Sequence, residues 1–253
     1  MPGNLENFFH TFFDWTQIRL VLPSLFLTGL PNTIIISICS IVLGLLIGMV
    51  LAVALISRSV IIRFIARLYV DVFRGLPSIL TILLIGEGLP IAGIHLFGHS
   101  AYPYAILALG ILSGAYIAEI FRSGIQSVDH GQVEAARCLG MTQFAAMSLI
   151  VIPQGVRRVM PALANQFVAM VKDSSLVYLL GLVAGQRELF SIAQDQVAAA
   201  GSLAPLMAAG FFYILITVPM THLVNWWDRR LREGPSSTNT NVNRVAMAGG
   251  EGR

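Results

Sequence analysis

The chain has 253 residues, of which 56% are hydrophobic and only 11% are charged, with a formal net charge of +3. Soluble domains carry about 25% charged residues, so this composition predicts a protein that folds in lipid and excludes an ordinary soluble domain. The arginines collect at the ends of apolar runs rather than in one basic patch, which argues against a nucleic-acid partner.

Residues 1–24 predict an external segment that precedes the first membrane span. The first eighteen residues contain no lysine or arginine, unlike the basic start of a cleaved signal peptide. Apolar residues recur there at helical spacing, and this pattern favours a helix lying flat at the membrane surface over a frayed terminus. These residues are Leu5, Phe8, Phe9, Phe12 and Trp15.

A transmembrane domain is predicted over residues 25–228, with five apolar segments that are long enough to cross a bilayer. The predicted spans are about 27–56, 70–90, 104–122, 162–185 and 203–227. A polar cytoplasmic loop of about 123–160 separates the third span from the fourth. Residues 229–253 are polar and glycine-rich, which predicts a disordered cytoplasmic tail. The fold class is therefore an all-α integral membrane protein.

Five spans also predict an orientation. With this count, 14 lysine and arginine residues lie on one side of the membrane, and only Arg19 and Arg187 lie on the other. Because cytoplasmic loops hold the excess of basic residues, the N-terminus is predicted outside and the C-terminus inside. The loop of 123–160 is then cytoplasmic.

That loop contains a short helix-favouring segment from Gln132 to Leu139, rich in alanine. Gly140 is expected to end this helix because glycine adopts the left-handed conformation without strain. Exposed alanines would let a partner protein approach closely, and Glu134 would add a charged contact at the rim. The alternative from these residues alone is an ordinary connector between spans.

The same segment resembles the signature loop of the permeases of ATP-binding-cassette importers. The resemblance rests on Glu134-Ala135-Ala136, Gly140 after three residues, and Ile150, Ile152 and Pro153 after nine more. Ile152 stands where the family usually has leucine. The resemblance implies a type I importer permease fold, and a cytoplasmic coupling helix that fits into a cleft of the ATPase. It also implies the coupling residues Gly131, Glu134, Ala135, Ala136, Gly140 and Pro153.

Flanking residues narrow the resemblance to the polar amino acid branch, which includes histidine and glutamine permeases. The matching segments are residues 115–125, Gly131-Gln132, residues 172–176 and Arg74-Gly75-Leu76-Pro77, with Leu76 in place of threonine. The similarity covers about Thr28 to Asp228. The resemblance implies a bacterial inner (plasma) membrane protein that moves amino acids by alternating access.

The resemblance also implies partners. Two ATP-binding-cassette ATPases, a second permease subunit of the same or a related chain, and an external solute-binding protein are expected. Lys172 is the only lysine, and no Gly-x-x-x-x-Gly-Lys-Ser/Thr motif precedes it, so this chain has no phosphate-cradling loop. We therefore expect a non-catalytic subunit without a cofactor of its own, with ATP and magnesium bound by the partner ATPases.

Charged residues within or beside the predicted spans are candidates for the substrate pathway, because charges in a bilayer are costly. These candidates are Glu87, Glu119, Lys172 and Asp173. Each has a structural alternative. Glu119 can pair with Arg122 at the inner membrane edge, Lys172 and Asp173 can bond different helices or mark a break in the fourth span, and Glu87 can be solvated at the outer surface.

The sequence argues against two other classes of membrane protein. A self-sufficient secondary transporter or channel for a small polar solute would show inverted repeats and more spans, and the chain has no clear internal repeat. A membrane enzyme would need clustered metal ligands, whereas the five histidines are scattered along the chain. The sequence therefore predicts no catalytic residue, and Cys39 and Cys138 suggest neither a disulfide nor a metal site.

Overall fold

The computed structural model describes residues 4–98 and 100–232, and in this part of the chain every regular element is helical. The α-helices are α1 Asn4–Phe13, α2 Trp15–Ser24, α3 Leu30–Leu55, α4 Val60–Gly75, α5 Ser78–Gly86, α6 Gly88–Ile91, α7 Ala101–Gln126, α8 His130–Cys138, α9 Gln143–Ala146, α10 Ile152–Asp173, α11 Leu189–Ala200 and α12 Ala204–Arg232. Two π-helical turns, Leu25–Gly29 and Met147–Val151, and a 3-10 helix, Ser174–Leu180, connect some of them.

The first span is longer than the sequence predicts. Helix α2, the π-helical turn Leu25–Gly29 and α3 follow one another without a break, so residues 15–24 of the predicted external segment are helical and continuous with α3. Pro23 lies inside α2, where the missing N–H of proline disturbs the regular ladder just before the π-helical turn. Only α1 stands apart, because the Asp14 carboxylate caps α2 by accepting from the Thr16 amide at 2.9 Å.

Helices α3 and α7 form the centre of the bundle. A Cβ atom added at Gly48 of α3 would lie 2.6 Å from Cγ2 of Ile117 on α7, and one added at Gly110 would lie 2.5 Å from Cδ2 of Leu43. The two backbones therefore approach more closely than larger residues would permit, which is typical of a Gly-x-x-x-Gly pair such as Gly44 and Gly48. Helices α4, α5 and α10 pack around α7.

The second predicted span is bent. Helices α4 and α5 meet at 107° across an extended break at Leu76 and Pro77, so the region of the predicted span over 70–90 is not one straight helix. Proline disfavours a helical conformation in the residue before it, which ends α4 at this point. Helix α4 starts ten residues before the predicted span and packs through Ala66 and Val70 against Leu55 and Ala118.

The predicted loop of 123–160 is shorter in the structure, because α7 extends to Gln126 and α10 begins at Ile152. At its other end α10 stops at Asp173 and the 3-10 helix follows directly, so the chain changes helix type at Lys172-Asp173, where a break was one of the two alternatives. Helix α12 continues to Arg232, so the first four residues predicted for the tail are helical, while residues 233–253 lie outside the described residues.

By length and composition, three helices of the described chain can cross a membrane, or four if α4 and α5 together make one bent span. Helix α10, which carries Arg157, Arg158, Lys172 and Asp173, is not among these helices. The number of five spans therefore stays a prediction.

Candidate functional site

Helix α8 lies at one end of the bundle, between the end of α7 and the start of the α9–α10 unit. Its first turn is capped by Asp129, whose carboxylate accepts a hydrogen bond from the Gly131 amide at 2.7 Å. This side-chain cap satisfies one of the amides that a helix N-terminus leaves without a partner. Gly131 itself is exposed.

Gly140 ends α8 in the left-handed conformation with φ of +83°. Its amide donates to the Arg137 carbonyl at 3.0 Å, and the Met141 amide donates to the Ala136 carbonyl at 3.1 Å. This pair of bonds is the Schellman arrangement, which favours glycine at the left-handed position. The prediction that Gly140 terminates this helix is confirmed.

The two faces of α8 differ. Glu134 and Ala135 are exposed, whereas Ala136 is only 2% exposed and faces the chain's own α9 and the π-helical turn behind it. The expectation that both alanines are available to a partner is therefore wrong for Ala136, which seats the helix instead. Pro153 is exposed in the first turn of α10, where its missing N–H costs nothing.

Sequence reasoning missed two apolar side chains beside α8. Leu139, the last residue before Gly140, is 85% exposed, and Phe144 in α9 is 81% exposed. Large apolar side chains exposed beside a polar helix are typical of a protein–protein contact. Together with Glu134 and Ala135 they form a surface that we call the α8 platform.

Helices α7 and α10 approach each other closely near the segments that flank α8 in the chain. A Cβ atom on Gly124 of α7 would collide with the Val159 side chain and lie 3.0 Å from the Gly155 carbonyl oxygen of α10. Nearby, the Arg158 guanidinium donates to the Ser127 carbonyl oxygen. Helices α7 and α10 therefore touch through backbone at this point.

Glu119 on α7 is held between two arginines. Its carboxylate lies 3.3 Å from the Arg67 guanidinium of α4 and 2.6 Å from that of Arg122, one turn further along α7. The predicted pairing with Arg122 is confirmed, and Arg67 is an addition that the sequence did not indicate. With two cations already bound, this carboxylate ties α4 to α7.

The other predicted pathway residues are not brought together. Glu87 is exposed at the end opposite α8, beside a cavity of about 270 Å³ that is also lined by His95 and Tyr104. Lys172 is exposed and Asp173 is half-buried at the end of α10. Within the described residues, neither has a charged partner within 4.0 Å, so the structure assigns them no ion pair.

A fully buried carboxylate, Glu188, was also missed. It caps α11 by accepting from the amides of Phe190 and Ser191, both at 2.6 Å, and it also accepts from the Ser191 hydroxyl and from the Tyr213 hydroxyl of α12. Burial raises the pKa of this carboxyl above its usual value, while these hydrogen bonds act in the opposite direction. The only sequence signal for this cap was the position of Glu188 directly before an apolar helix, with Ser191 three residues later in the chain.

The loop before Glu188 is fastened to the long helices. The Asn32 side chain of α3 donates to the carbonyls of Gly185 and Arg187 at 2.9 and 3.1 Å, and it accepts from the Tyr102 hydroxyl of α7. Arg187 pairs with Asp195 of α11 at 2.5 Å. We call residues 181–188 with these contacts the opposite-end network.

Comparison with known proteins places this geometry in context. Residues 44–233 match the family described as binding-protein-dependent transport system inner membrane component. The chain is 35% identical over 223 residues to the glutamate/aspartate import permease protein GltK of Escherichia coli, covering 86% of this chain and 98% of GltK. It is 32% identical over 221 residues to the probable amino-acid permease protein YxeN of Bacillus subtilis, covering 86% and 96%.

Solved structures have the same fold. The crystal structure of an amino acid ABC transporter with histidines superimposes with a TM-score of 0.75 at 34% identity, covering 84% of this chain and 96% of that one. An inward-facing structure of the MetNI methionine ABC transporter gives a TM-score of 0.62 at 19% identity, which supports the fold alone.

Proposed function

Because the chain belongs to the family of binding-protein-dependent transport system inner membrane components, we propose that it is the permease subunit of an ATP-driven importer of polar amino acids. The observation that carries the proposal is the α8 platform, a capped helix with Glu134 and Ala135 exposed at one end of the bundle. In this proposal the chain performs no chemistry, and hydrolysis takes place on a separate ATPase.

The substrate class is inferred from relatives that are similar along most of their length. GltK is named as a glutamate/aspartate permease, and GlnP of Escherichia coli, 30% identical over 223 residues, as a glutamine permease. These amino acids share a zwitterionic head group and a polar side chain. We therefore assign a polar amino acid to this chain and leave its side chain open.

The proposed assembly contains two permease subunits, two ATPases bound at the α8 platforms, and a solute-binding protein at the opposite end. This places α8 and the C-terminus in the cytoplasm and the N-terminus outside, as the arginine distribution predicts. Glu87 then lies on the outer side. The 253-residue chain would contribute one half of the pathway.

The geometry supports alternating access. ATP binding brings the two ATPases together, and each ATPase would move the α8 platform bound to it in the same direction. Because Gly124 and Gly155 hold α7 against α10, the movement of α8 would tilt both long helices rather than bend the connection. ATP thereby favours the outward-open state by binding it more tightly, and hydrolysis restores the inward-open state.

Uptake by a reconstituted complex tests the proposal. Proteoliposomes containing this permease, its ATPase and its binding protein should accumulate one radiolabelled polar amino acid from a panel, and only with ATP inside. Transport by this chain without ATP or partners would instead support the alternative of a self-sufficient transporter or channel.

Bulky substitutions on α8 test the docking role separately. Glu134→Trp and Gly140→Val should lower uptake at least tenfold while the ATPase alone remains active. Gly93→Val is the matched control for backbone strain, because Gly93 has φ of +80°, open space around it and a place at the end away from α8. Unchanged uptake by both α8 variants at equal expression would refute the docking role.

A further inference from the structure

Two charged side chains of opposite sign lie where the bent span changes direction. Asp71 and Arg74 are both exposed on the last turn of α4, and the chain turns by 107° into α5 directly after Gly75. Residues three apart on a helix share a face, with about 5–6 Å between their Cβ atoms. The sequence analysis selected neither residue as a pathway candidate.

The contact with Tyr116 places Arg74 at membrane depth. The Arg74 guanidinium carbon lies 5.4 Å from the centre of the Tyr116 ring, a cation–π distance. Tyr116 is far from both ends of α7, about 22 Å from Ala101 and about 15 Å from Gln126 at 1.5 Å per residue. By length and composition α7 can cross a membrane, so a guanidinium beside its interior lies between the two ends of that candidate span.

The two charges differ from the other charged residues of this region. Arg67 and Arg122 share the Glu119 carboxylate, whereas within the described chain no carboxylate lies within 4.0 Å of Arg74 and no basic group lies within 4.0 Å of Asp71. An exposed charge at this depth is very costly against lipid, and such residues face a bundle interior or a water-filled cavity. This face of α4 is therefore assigned to the water-filled pathway between subunits.

We propose that Asp71 and Arg74 bind the head group of the amino acid as it crosses, Arg74 taking the carboxylate and Asp71 the ammonium. A guanidinium binds a carboxylate through two parallel hydrogen bonds, and stacking on Tyr116 fixes the plane of the Arg74 fork. The ammonium and the carboxylate of an α-amino acid sit on one carbon, so a pair of opposite charges on one helix face can bind both. This inference rests on the proposed function and adds recognition of the zwitterion, whichever side chain it carries.

The test compares Arg74→Gln, Arg74→Lys and Asp71→Asn with the wild type in the reconstituted complex. Arg63→Gln is the matched control, an exposed arginine on the same helix that hydrogen-bonds the Ser57 carbonyl instead. Arg74→Gln and Asp71→Asn should each lower uptake at least tenfold, Arg74→Lys should keep an intermediate rate, and Arg63→Gln should stay within twofold. Stimulation of ATP hydrolysis by the binding protein should persist in all four variants.

Binding to the permease–ATPase complex without the binding protein separates head-group recognition from a structural role. The wild-type complex should bind the transported amino acid at least tenfold more tightly than its α-amide, and Arg74→Gln should abolish this preference. Wild-type uptake by Arg74→Gln, or a wild-type complex that does not prefer the acid, would overturn the inference alone. Separation of the permease subunits in Arg74→Gln, measured by mass, would also overturn it, because Arg74 would then bind the second copy. A wild-type complex that transports no amino acid would contradict the proposed function itself.

Discussion

The two ends of the bundle are built differently. At the opposite end, residues 181–188 are held to α3, α11 and α12 by side-chain hydrogen bonds, and Tyr102 of α7 donates to the same Asn32 side chain that binds this loop. Glu188 is fully buried among four donors. At the α8 end Glu134, Ala135, Leu139 and Phe144 are exposed, and α8 touches little beyond α9 and the π-helical turn that follows it. One end is held by interactions within the chain, and the other has the exposed surface that we propose as the docking site of the ATPase.

This difference indicates where stability and coupling reside. Substitutions in the opposite-end network should lower thermal stability, because they leave buried donors without acceptors. Substitutions on the α8 platform should leave stability unchanged and weaken only the contact with the ATPase, since exposed positions away from special backbone conformations contribute little. A substitution at the buried contact between Gly124 and Gly155 should affect both stability and transport.

The largest expected effect is that of Glu188→Ala. The substitution removes the cap of α11 and leaves the amides of Phe190 and Ser191 and the Tyr213 hydroxyl without their acceptor. We expect a loss of about 2–4 kcal/mol and a fall in Tm of about 5–10 °C in detergent. A variant with the Tm of the wild type would show that the opposite-end network does not hold these helices together.

Gly124→Ala should have the next largest effect. Its methyl group would meet Val159 and the Gly155 carbonyl, so α7 and α10 must separate, at a cost of about 1–3 kcal/mol. Thermal unfolding and ATP-driven uptake should both decline. Gly210→Ala is the matched control, because nothing lies within 4 Å of a Cβ atom there, and its Tm should equal or exceed that of the wild type. Equal Tm values for the two variants would contradict the close contact.

Phe144→Ser tests the α8 platform without disturbing the fold. Since the side chain is 81% exposed, Tm should change by less than about 1 °C, while capture of the ATPase on an affinity resin should fall at least fivefold. The matched control is Ile91→Ser, an apolar residue that is 84% exposed at the opposite end. Equal capture by the two variants would remove Phe144 from the docking surface.

The smallest effect is a pH dependence of the opposite-end network. Since the pKa of folded Glu188 is raised, its contribution to stability is complete below the unfolded pKa of about 4.3 and is lost as pH rises through the folded value. The Tm of the wild type should therefore fall relative to that of Glu188→Gln between pH 4.5 and pH 8. Parallel Tm curves for the two proteins over this range would show that Glu188 does not titrate there.

Sequence reasoning was most successful where structure is local. Gly140 was identified as the end of α8 because a left-handed glycine after a helix-favouring run is a property of neighbouring residues. The pairing of Glu119 with Arg122 followed from their spacing on one helix. The end of α10 at Asp173 matches one of the two alternatives that the adjacent charges Lys172 and Asp173 suggested.

What the sequence could not supply depends on contacts between distant segments. Ala136 and Ala135 are equivalent in a sequence pattern, and only the packing of α8 on α9 buries one and exposes the other. Glu188 resembles any loop carboxylate until Tyr213, 25 residues later, approaches it. Arg74 was counted with the cytoplasmic arginines, because the depth of its side chain depends on Tyr116 and on the bend at Leu76-Pro77.

The touching backbones of Gly124 and Gly155 have a consequence for hybrid permeases. A chimaera that takes α7 from one relative and α10 from another brings together two residues that must both lack side chains, although each parent could have compensated for a methyl group on its own side. Such hybrids should be screened first for glycine at these two positions, before any residue of the α8 platform is exchanged.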